Sequence, residues 1–272
     1  MENIILNNSV SMPKLGLGVF RNPDGKTTEN SVKWALEAGY RHIDTAMIYG
    51  NEKSVGNAIK ESSVDRKDIF LTTKLWNEDI RKHRAREAFQ ESLDKLQTSY
   101  VDLYLLHWPV EGRIEAYKEI EKLYKEKKIR AIGVSNFTIA QLKELMSETF
   151  INPAVNQIEV HPYLANKELV DFCQEKGIAV TAYKPIGGGD GDLLENSVMV
   201  EIAKSHKKSP AQIALRWGLQ RGLIVIPKST HKERIIENIN VFDFELKNSE
   251  MEKINGLDKD LRFSPDPDNF DF

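Results

Sequence analysis

Short apolar runs alternate with amphipathic stretches along most of the chain. Eight runs have the length and apolar character of buried strands: residues 15–18, 41–44, 69–74, 101–107, 131–134, 154–158, 178–183 and 223–226. Helical spacing of apolar residues covers 79–96, 115–127, 138–146, 167–176 and a helix from Ser209-Pro210 to Arg216. Alternating strands and helices with short loops are typical of parallel α/β proteins. Eight units fit a closed (β/α)8 TIM barrel better than an open doubly wound sheet.

The two ends of the chain do not follow this repeat. Residues 4–12 are predicted to form a hairpin around Asn7-Asn8 that plugs the bottom of the barrel. The tail, residues 263–272, is too rich in Pro and Asp for a regular element, so it is either disordered or folded over the barrel mouth. Its two terminal phenylalanines favour docking. Because no low-complexity linker interrupts the repeat, residues 1–272 are predicted to form one barrel domain.

Composition and charge limit the kinds of binding partner and the cellular compartment that we expect. A net charge of -3 over 272 residues gives no sign of attraction to nucleic acid or to a membrane surface. The lone Cys173 excludes an internal disulfide and is expected to be a small buried residue. The N-terminus lacks the basic and apolar regions of a signal peptide, and no run has the length of a membrane span. We therefore expect a cytoplasmic protein.

Three of the predicted strands end on an ionisable residue. Asp44, Lys74 and His107 are spaced by about thirty residues, the length of one strand–helix unit. Parallel strands in register would bring these three side chains to the rim at the strand C-termini, where barrel enzymes carry their active sites. Tyr49 follows Asp44 by five residues and lies in the loop beyond the second predicted strand. The pattern predicts an acid–base site.

Lys74 is placed to tune the phenol of Tyr49. An unperturbed phenol has a pKa near 10, too high for efficient proton transfer at neutral pH. A nearby ammonium favours the phenolate, so we expect Lys74 to lower the pKa of Tyr49, with Asp44 as the counter-ion of Lys74. His107 would donate a hydrogen bond to a substrate oxygen. Each residue taken alone is usually structural, but four compatible groups at successive strand ends favour catalysis.

Metal and conventional nucleotide motifs are missing from the sequence. The six histidines include no His-x-His or His-Glu-x-x-His, so no metal site is predicted. Residues 187–191, Gly-Gly-Gly-Asp-Gly, do not match Gly-x-Gly-x-x-Gly, yet they follow the seventh strand, where backbone amides can approach a phosphate. Lys228, Ser229 and Arg234 follow the eighth strand. Because barrels often bind phosphate after strands seven and eight, these residues predict an anion site.

Three longer segments carry a family resemblance. They are Gly39-Tyr40-Arg41-His42-Ile43-Asp44-Thr45-Ala46 with Glu52 and Gly56, Arg130-Ala131-Ile132-Gly133-Val134-Ser135-Asn136-Phe137, and Ile226-Pro227-Lys228-Ser229 with Arg234, Glu237 and Asn238. In this order they resemble the signatures of the aldo-keto reductases, and the likeness runs from Gly16 to the tail. The resemblance implies a (β/α)8 barrel that reduces carbonyl compounds with NADPH and without a metal.

The resemblance also assigns residues to roles. Asp44, Tyr49, Lys74 and His107 would be the catalytic tetrad. Ser135, Asn136 and Gln157 would hold the carboxamide of the nicotinamide, and Tyr183 would stack on the nicotinamide ring. The 2′-phosphate would be bound by Lys228, Ser229 and Arg234. The adenine would be contacted by Glu237 and Asn238. Other cofactor contacts are expected from Gly18, Val19, Phe20, Asp44, Lys184, Pro185, Ile186 and Gly187. The substrate pocket would be lined by Phe20, Tyr49, Trp76, His107 and Trp108.

Several positions depart from the family pattern. Lys184 stands where relatives commonly have Ser after the stacking Tyr; it would pair with the pyrophosphate or turn outward. Phe20 replaces the usual Trp of the first loop, which leaves Trp76 and Trp108 as pocket walls. The loop at 108–113 is short and leads straight into a helix. A short loop suggests an open pocket with broad tolerance, as in microbial reductases of methylglyoxal or diketogluconate.

Two other functions remain open at this stage. Some relatives are channel-associated subunits that bind NADPH and turn over slowly, and the tetrad does not distinguish them, although they usually lack this tail and short middle loop. An unrelated barrel could use Lys74 as a Schiff base, which requires a desolvated lysine, whereas Asp44 would keep it charged. The favoured expectation is a monomeric enzyme whose partner is a small carbonyl compound.

Overall fold

The computed structural model describes residues 2–189 and 191–272 of the chain. Its strands are β1 (Asn3–Ile5), β2 (Ser11–Pro13), β3 (Leu17–Gly18), β4 (His42–Asp44), β5 (Phe70–Leu75), β6 (Val101–Leu106), β7 (Ile129–Ser135), β8 (Val155–Glu159), β9 (Ala179–Tyr183) and β10 (Ile224–Val225). Its α-helices are α1 (Lys26–Glu37), α2 (Glu52–Glu61), α3 (Asn77–Arg81), α4 (Ala85–Leu96), α5 (Arg113–Lys125), α6 (Ile139–Glu148), α7 (Lys167–Glu175), α8 (Ser197–His206), α9 (Pro210–Gln220), α10 (Lys232–Ile239) and α11 (Asn248–Asn255).

Strands β3 to β10 form one parallel sheet in chain order that curls until its ends meet. At the seam, the Gly16 amide donates to the Val225 carbonyl at 3.0 Å, and the Val225 amide donates to the Lys14 carbonyl at 2.8 Å. A further parallel bridge joins Gly18 to Lys228. Because both edges are paired in this way, the predicted (β/α)8 barrel is confirmed.

Side chains alternate between the inside of the barrel and its helical coat. On β6, Leu103 and Leu105 belong to the interior cluster, whereas Tyr104 and Leu106 pack in the larger cluster shared with the helices. This two-residue period explains why a strand buried on both faces has a continuous apolar sequence. The antiparallel hairpin of β1 and β2 closes the interior cluster with Leu6 and Met12. The predicted plug at the barrel bottom is therefore confirmed.

The predicted helix over 79–96 is wrong in its continuity. The structure divides it into α3 and α4, with His83 between them in the left-handed region at φ 55°. The His83 amide donates to the carbonyl of Ile80 at 3.1 Å, which closes a turn and reorients the chain. Ile80 and Ala85, on either side of the break, are both buried. Apolar spacing does not record such a break because each part is amphipathic by itself.

The C-terminal tail lies over the barrel mouth, as predicted. The Phe272 ring stacks parallel to Trp76 with ring centroids 5.9 Å apart and meets Trp108 edge-on at 5.1 Å. Phe270 packs against Trp108 at 4.8 Å. The helix that opens at Ser209-Pro210 starts where predicted but continues beyond Arg216. None of the helices in the described ranges combines the length and apolar character that crossing a bilayer requires.

Candidate active site

The strand ends bring the three predicted ionisable residues together. Asp44 ends β4, Lys74 is the penultimate residue of β5, and His107 directly follows β6. The Lys74 ammonium donates to Asp44 Oδ1 at 2.7 Å and to the Thr45 carbonyl at 2.8 Å. Its Nζ lies 3.4 Å from the phenol oxygen of Tyr49. The convergence expected from the repeat length is thus found in the fold.

Tyr49 is held at the end of a short 3-10 turn, Met47–Tyr49, which Gly50 terminates at φ 68°. That backbone conformation suits glycine because a Cβ would be strained there. The ring meets the His107 imidazole edge-on, with centroids 5.7 Å apart, and lies 5.0 Å from the Phe20 ring. The phenol is therefore fixed between the two aromatic rings and Lys74.

Burial is the main cause of the pKa shifts of Lys74 and Tyr49. Lys74 is fully buried, and loss of hydration lowers the pKa of its ammonium although Asp44 opposes that change. Burial, reinforced by the charge of Asp44, raises the pKa of Tyr49 well above 10. The lowered phenol pKa expected from the sequence is therefore wrong: desolvation of Tyr49 and the charge of Asp44 raise it, and the nearby Lys74 ammonium does not reverse that rise. Tyr49 is a neutral phenol at physiological pH.

His107 is a neutral imidazole at the same rim. Burial and the adjacent Lys74 charge hold its pKa well below 6.5. Its Nδ1 atom is buried and has no hydrogen-bond partner within the described residues. A neutral imidazole can donate one hydrogen bond without adding a positive charge to the site. The side chain is thus suited to hydrogen-bond a substrate oxygen, as the sequence predicts.

A set of polar side chains from β7, β8 and β9 adjoins the tetrad. Ser135 Oγ donates to the Gln157 carbonyl at 2.8 Å, and the Asn136 amide donates to the His107 carbonyl at 3.0 Å. The Tyr183 hydroxyl donates to Asn136 Oδ1 at 2.8 Å, which fixes the plane of its ring. The side chains of Ser135, Asn136, Gln157 and Tyr183 all line the same cavity. The residues predicted to bind a nicotinamide therefore lie together at neighbouring strand ends.

That cavity has a volume of about 940 Å³ and extends from the tetrad to β10. At one end, all five predicted substrate residues line it: Phe20, Tyr49, Trp76, His107 and Trp108. Ile48 and Phe272, neither of which the sequence analysis assigned to the pocket, also line this end. A mostly aromatic wall around a few polar groups is typical of a small-molecule site.

Cations surround the other end of the cavity. Lys228, Ser229 and Arg234 line it as predicted, together with Arg21, which the sequence analysis missed. Burial and the Arg21 guanidinium lower the pKa of Lys228, which places the two cations in each other's field. Arg21 lies in the loop after β3, so its approach to Lys228 depends on closure of the barrel. A basic pocket of this kind suits a phosphate.

Four of the predicted cofactor residues do not line this cavity in the described ranges: Val19, Gly187, Glu237 and Asn238. Val19 is fully buried and its carbonyl accepts a hydrogen bond from Asn51 at 2.9 Å. The Glu237 carboxylate accepts a hydrogen bond from the Ser209 hydroxyl. Gly188 and Gly189 line the cavity beside Gly187. The contacts proposed for these four residues stay predictions.

Three predicted positions of the loop after β9 do line the cavity, namely Lys184, Pro185 and Ile186. The sequence left two orientations open for Lys184, toward a pyrophosphate or outward. In the structure its ammonium donates to the Phe263 carbonyl of the tail at 2.7 Å. Asp190, within the glycine-rich segment, lies outside the described residues.

Comparison with known proteins agrees with this geometry. A sequence profile described as Aldo/keto reductase family matches residues 14–259. A 9,11-endoperoxide prostaglandin H2 reductase of Trypanosoma cruzi is 51% identical over 98% of this chain and 95% of the relative. A glyoxal reductase of Bacillus subtilis is 49% identical over 100% of this chain and 98% of the relative.

A solved structure shares the fold. MGS-M4, an aldo-keto reductase from a Medee basin deep-sea metagenome library, superposes with a TM-score of 0.96 at 46% identity. The match covers 99% of this chain and 100% of that structure. By sequence, by barrel and by the residues at its rim, this chain belongs to the aldo/keto reductase family and is an oxidoreductase.

Proposed function

We propose that this protein reduces aldehydes and ketones to alcohols with NADPH, with Tyr49 as the proton donor. One observation carries the proposal: the Tyr49 phenol, which lines the cavity, lies 3.4 Å from the Lys74 ammonium, and that ammonium donates to Asp44 at 2.7 Å. A phenol beside a fixed positive charge can release its proton to a substrate oxygen because the ammonium stabilises the phenolate left behind.

The residues around the cavity fit a reduced dinucleotide. Ser135, Asn136 and Gln157 offer hydroxyl and amide groups for a carboxamide, next to the flat ring of Tyr183. Lys228 and Arg234 offer positive charge at the opposite end, where a 2′-phosphate would be recognised. When bound, NADPH supplies the hydride. We therefore propose the nicotinamide end beside Tyr49 and the adenosine phosphate end beside β10.

Proton transfer is assigned to the tetrad. Tyr49 is protonated at neutral pH, so its hydroxyl can donate to the carbonyl oxygen as negative charge develops there. His107 hydrogen-bonds the same oxygen and orients the carbonyl. Lys74 and Asp44 fix the phenol and balance the charge after the proton has left. Trp76 and Trp108 contribute aromatic surface to the cavity beside these groups.

Small and diverse carbonyl compounds are the proposed substrates. Only residues 107–112 separate β6 from α5, so no long loop covers this side of the pocket. The glyoxal reductase relative is named for a small dicarbonyl compound. The direct test is NADPH oxidation by the purified protein across aldehydes, ketones, dicarbonyls and keto-sugars. Turnover of several small members supports the proposal, whereas no turnover of any member contradicts it.

Two alternative functions predict results that differ from those of a reductase. An NADPH-binding regulatory subunit would bind the cofactor but turn over each carbonyl compound only slowly. A Schiff-base enzyme would be trapped covalently at Lys74 by borohydride with a candidate carbonyl. Burial does lower the pKa of Lys74, as that chemistry needs, but its Nζ is fully enclosed by Asp44, Thr45 and Tyr49. This enclosure favours the reductase.

A further inference from the structure

Glu159 ends β8 as a fully buried carboxylate, and the tetrad does not use it. Its Oε1 accepts hydrogen bonds from the Phe263 amide at 2.7 Å and pairs with the His161 imidazole at 3.1 Å. Its Oε2 accepts the Ser264 amide at 2.9 Å. Burial opposes ionisation, but these hydrogen bonds hold the pKa of Glu159 below its usual value. The buried Glu159 carboxylate thus accepts hydrogen bonds from two main-chain amides of the tail.

A second anchor holds the tail just upstream. The Tyr163 carbonyl, in the loop after β8, accepts the amides of Lys259 at 3.1 Å and Leu261 at 3.0 Å. The Lys259 ammonium also lies 3.9 Å from the centre of the Tyr163 ring. Residues 259–265, called the strap from here on, therefore follow the loop after β8 from one acceptor to the next.

The strap then reaches the loop that follows β9. Lys184 donates to the Phe263 carbonyl at 2.7 Å. A Cβ built on Gly191 would lie 2.7 Å from the Phe263 ring, so the ring occupies the space that the glycine leaves open. Phe263, Ser264 and Pro265 line the cavity together with residues 184–186, 188 and 189. The strap and the loop after β9 thus form two sides of the same part of the cavity.

We infer that Glu159 is a positioning residue that keeps the strap against the loop after β9 and so slows the release of a dinucleotide from the cavity. The inference rests on the proposed function, because it takes the occupant to be NADPH. For the strap to move away from the loop after β9, the hydrogen bonds of its main-chain amides to the Glu159 carboxylate must break. These bonds are strong because they are buried and their acceptor is charged. Glu159 does not line the cavity, so the hydride step itself should not depend on it.

Two variants and one matched control test this inference. Glu159→Gln replaces one acceptor oxygen by a donor that faces a main-chain amide. Phe263→Ala leaves the main-chain bonds in place but removes the ring that packs on the loop after β9. The control is Glu250→Gln: Glu250 also pairs with a histidine, His206, at 2.9 Å and accepts the Lys247 amide at 2.8 Å, but it does not line the cavity.

The first readout separates cofactor release from chemistry. We expect both strap variants to raise the NADPH dissociation rate, measured by stopped-flow fluorescence, by about tenfold, which corresponds to ~1.4 kcal/mol. In Glu159→Gln, the rate of hydride transfer in a single turnover with saturating NADPH should stay within about twofold, because Glu159 does not line the cavity. Glu250→Gln should match the wild type in both rates. Unchanged dissociation in the strap variants, equal acceleration in Glu250→Gln, or a slower hydride step in Glu159→Gln would each overturn the inference.

The second readout needs no cofactor. Hydrogen exchange of the protein alone should be faster at the amides of Phe263 and Ser264 in Glu159→Gln than in Glu250→Gln, because only the former loses their acceptor. Unchanged exchange there would overturn the anchoring role even if the protein never used NADPH. Faster exchange together with a wild-type protein that binds no NADPH would count against the proposed function and therefore against the release role as well.

Discussion

The side-chain amide of Gln157 donates to Asp44 Oδ2 at 2.7 Å, while Lys74 occupies the other oxygen of the same carboxylate. Gln157 belongs to the predicted nicotinamide site, and Asp44 belongs to the tetrad. The two sets of residues are therefore one hydrogen-bonded network across the barrel, from β8 to β4. Because Gln157 Nε2 donates to Asp44, the Gln157 amide oxygen is the atom that can accept a hydrogen bond from a carboxamide.

Gln157→Ala should lower both stability and cofactor affinity. Removing the amide leaves Asp44 Oδ2 buried without this donor, and a hydrogen bond to a charged group contributes roughly 1.5–3 kcal/mol. Urea unfolding should show a loss in that range. Gln174→Ala is the control because Gln174 is exposed and its side chain donates one hydrogen bond among the contacts described, to the Arg221 carbonyl. Equal unfolding midpoints for Gln157→Ala and wild type would contradict the stabilising role of the bond.

Tyr49→Phe should abolish carbonyl reduction while NADPH still binds. The ring, and hence its packing against Phe20 and His107, is kept, but the proton donor is lost. Loss of a general acid costs about 10²–10⁴ in rate. Steady-state NADPH oxidation measures the loss, and fluorescence titration checks cofactor binding. Turnover at the wild-type rate would rule out Tyr49 as the acid.

Arg234→Ala should weaken NADPH far more than NADH. Arg234 lines the basic end of the cavity with Lys228, and a charge-assisted hydrogen bond to a phosphate contributes roughly 1.5–3 kcal/mol. The dissociation constants of both cofactors, measured by fluorescence titration, give the comparison. Lys232→Ala, on the same helix but outside the cavity lining, is the control. Equal weakening of both cofactors by Arg234→Ala would contradict the 2′-phosphate assignment.

The pH dependence should follow the raised phenol pKa. Reduction needs the protonated phenol, so its rate should not fall until pH exceeds about 10. Alcohol oxidation needs the phenolate, so its rate should keep rising with pH over the same range. Lys74→Met removes the ammonium and leaves the Asp44 charge unbalanced, which raises the phenol pKa further. Oxidation near neutral pH should then fall severely.

The check on this coupling is a pair of pH–rate profiles, forward and reverse, for wild type and Lys74→Met. A substrate whose chemical step limits the rate is required. The oxidation profile of the variant should be shifted to higher pH. If both proteins gave the same oxidation profile, Lys74 would not act on Tyr49.

Residue type and spacing determined the barrel and the tetrad. The thirty-residue repeat fixes which residues end successive parallel strands, and parallel register brings Asp44, Lys74 and His107 to one rim whatever the detailed packing. The hairpin plug followed in the same way from a local turn between two short strands. These features depend on local patterns, which a sequence displays directly.

The tertiary structure alone decided how the groups act on each other. The Gln157–Asp44 bond joins residues 113 positions apart, and the Phe263–Glu159 bond joins residues 104 apart. The direction of the Tyr49 pKa also needed the fold, because desolvation depends on everything packed around the phenol and not on one neighbouring charge. Burial and long-range pairing are properties of the whole packed chain, so spacing along the sequence could not supply them.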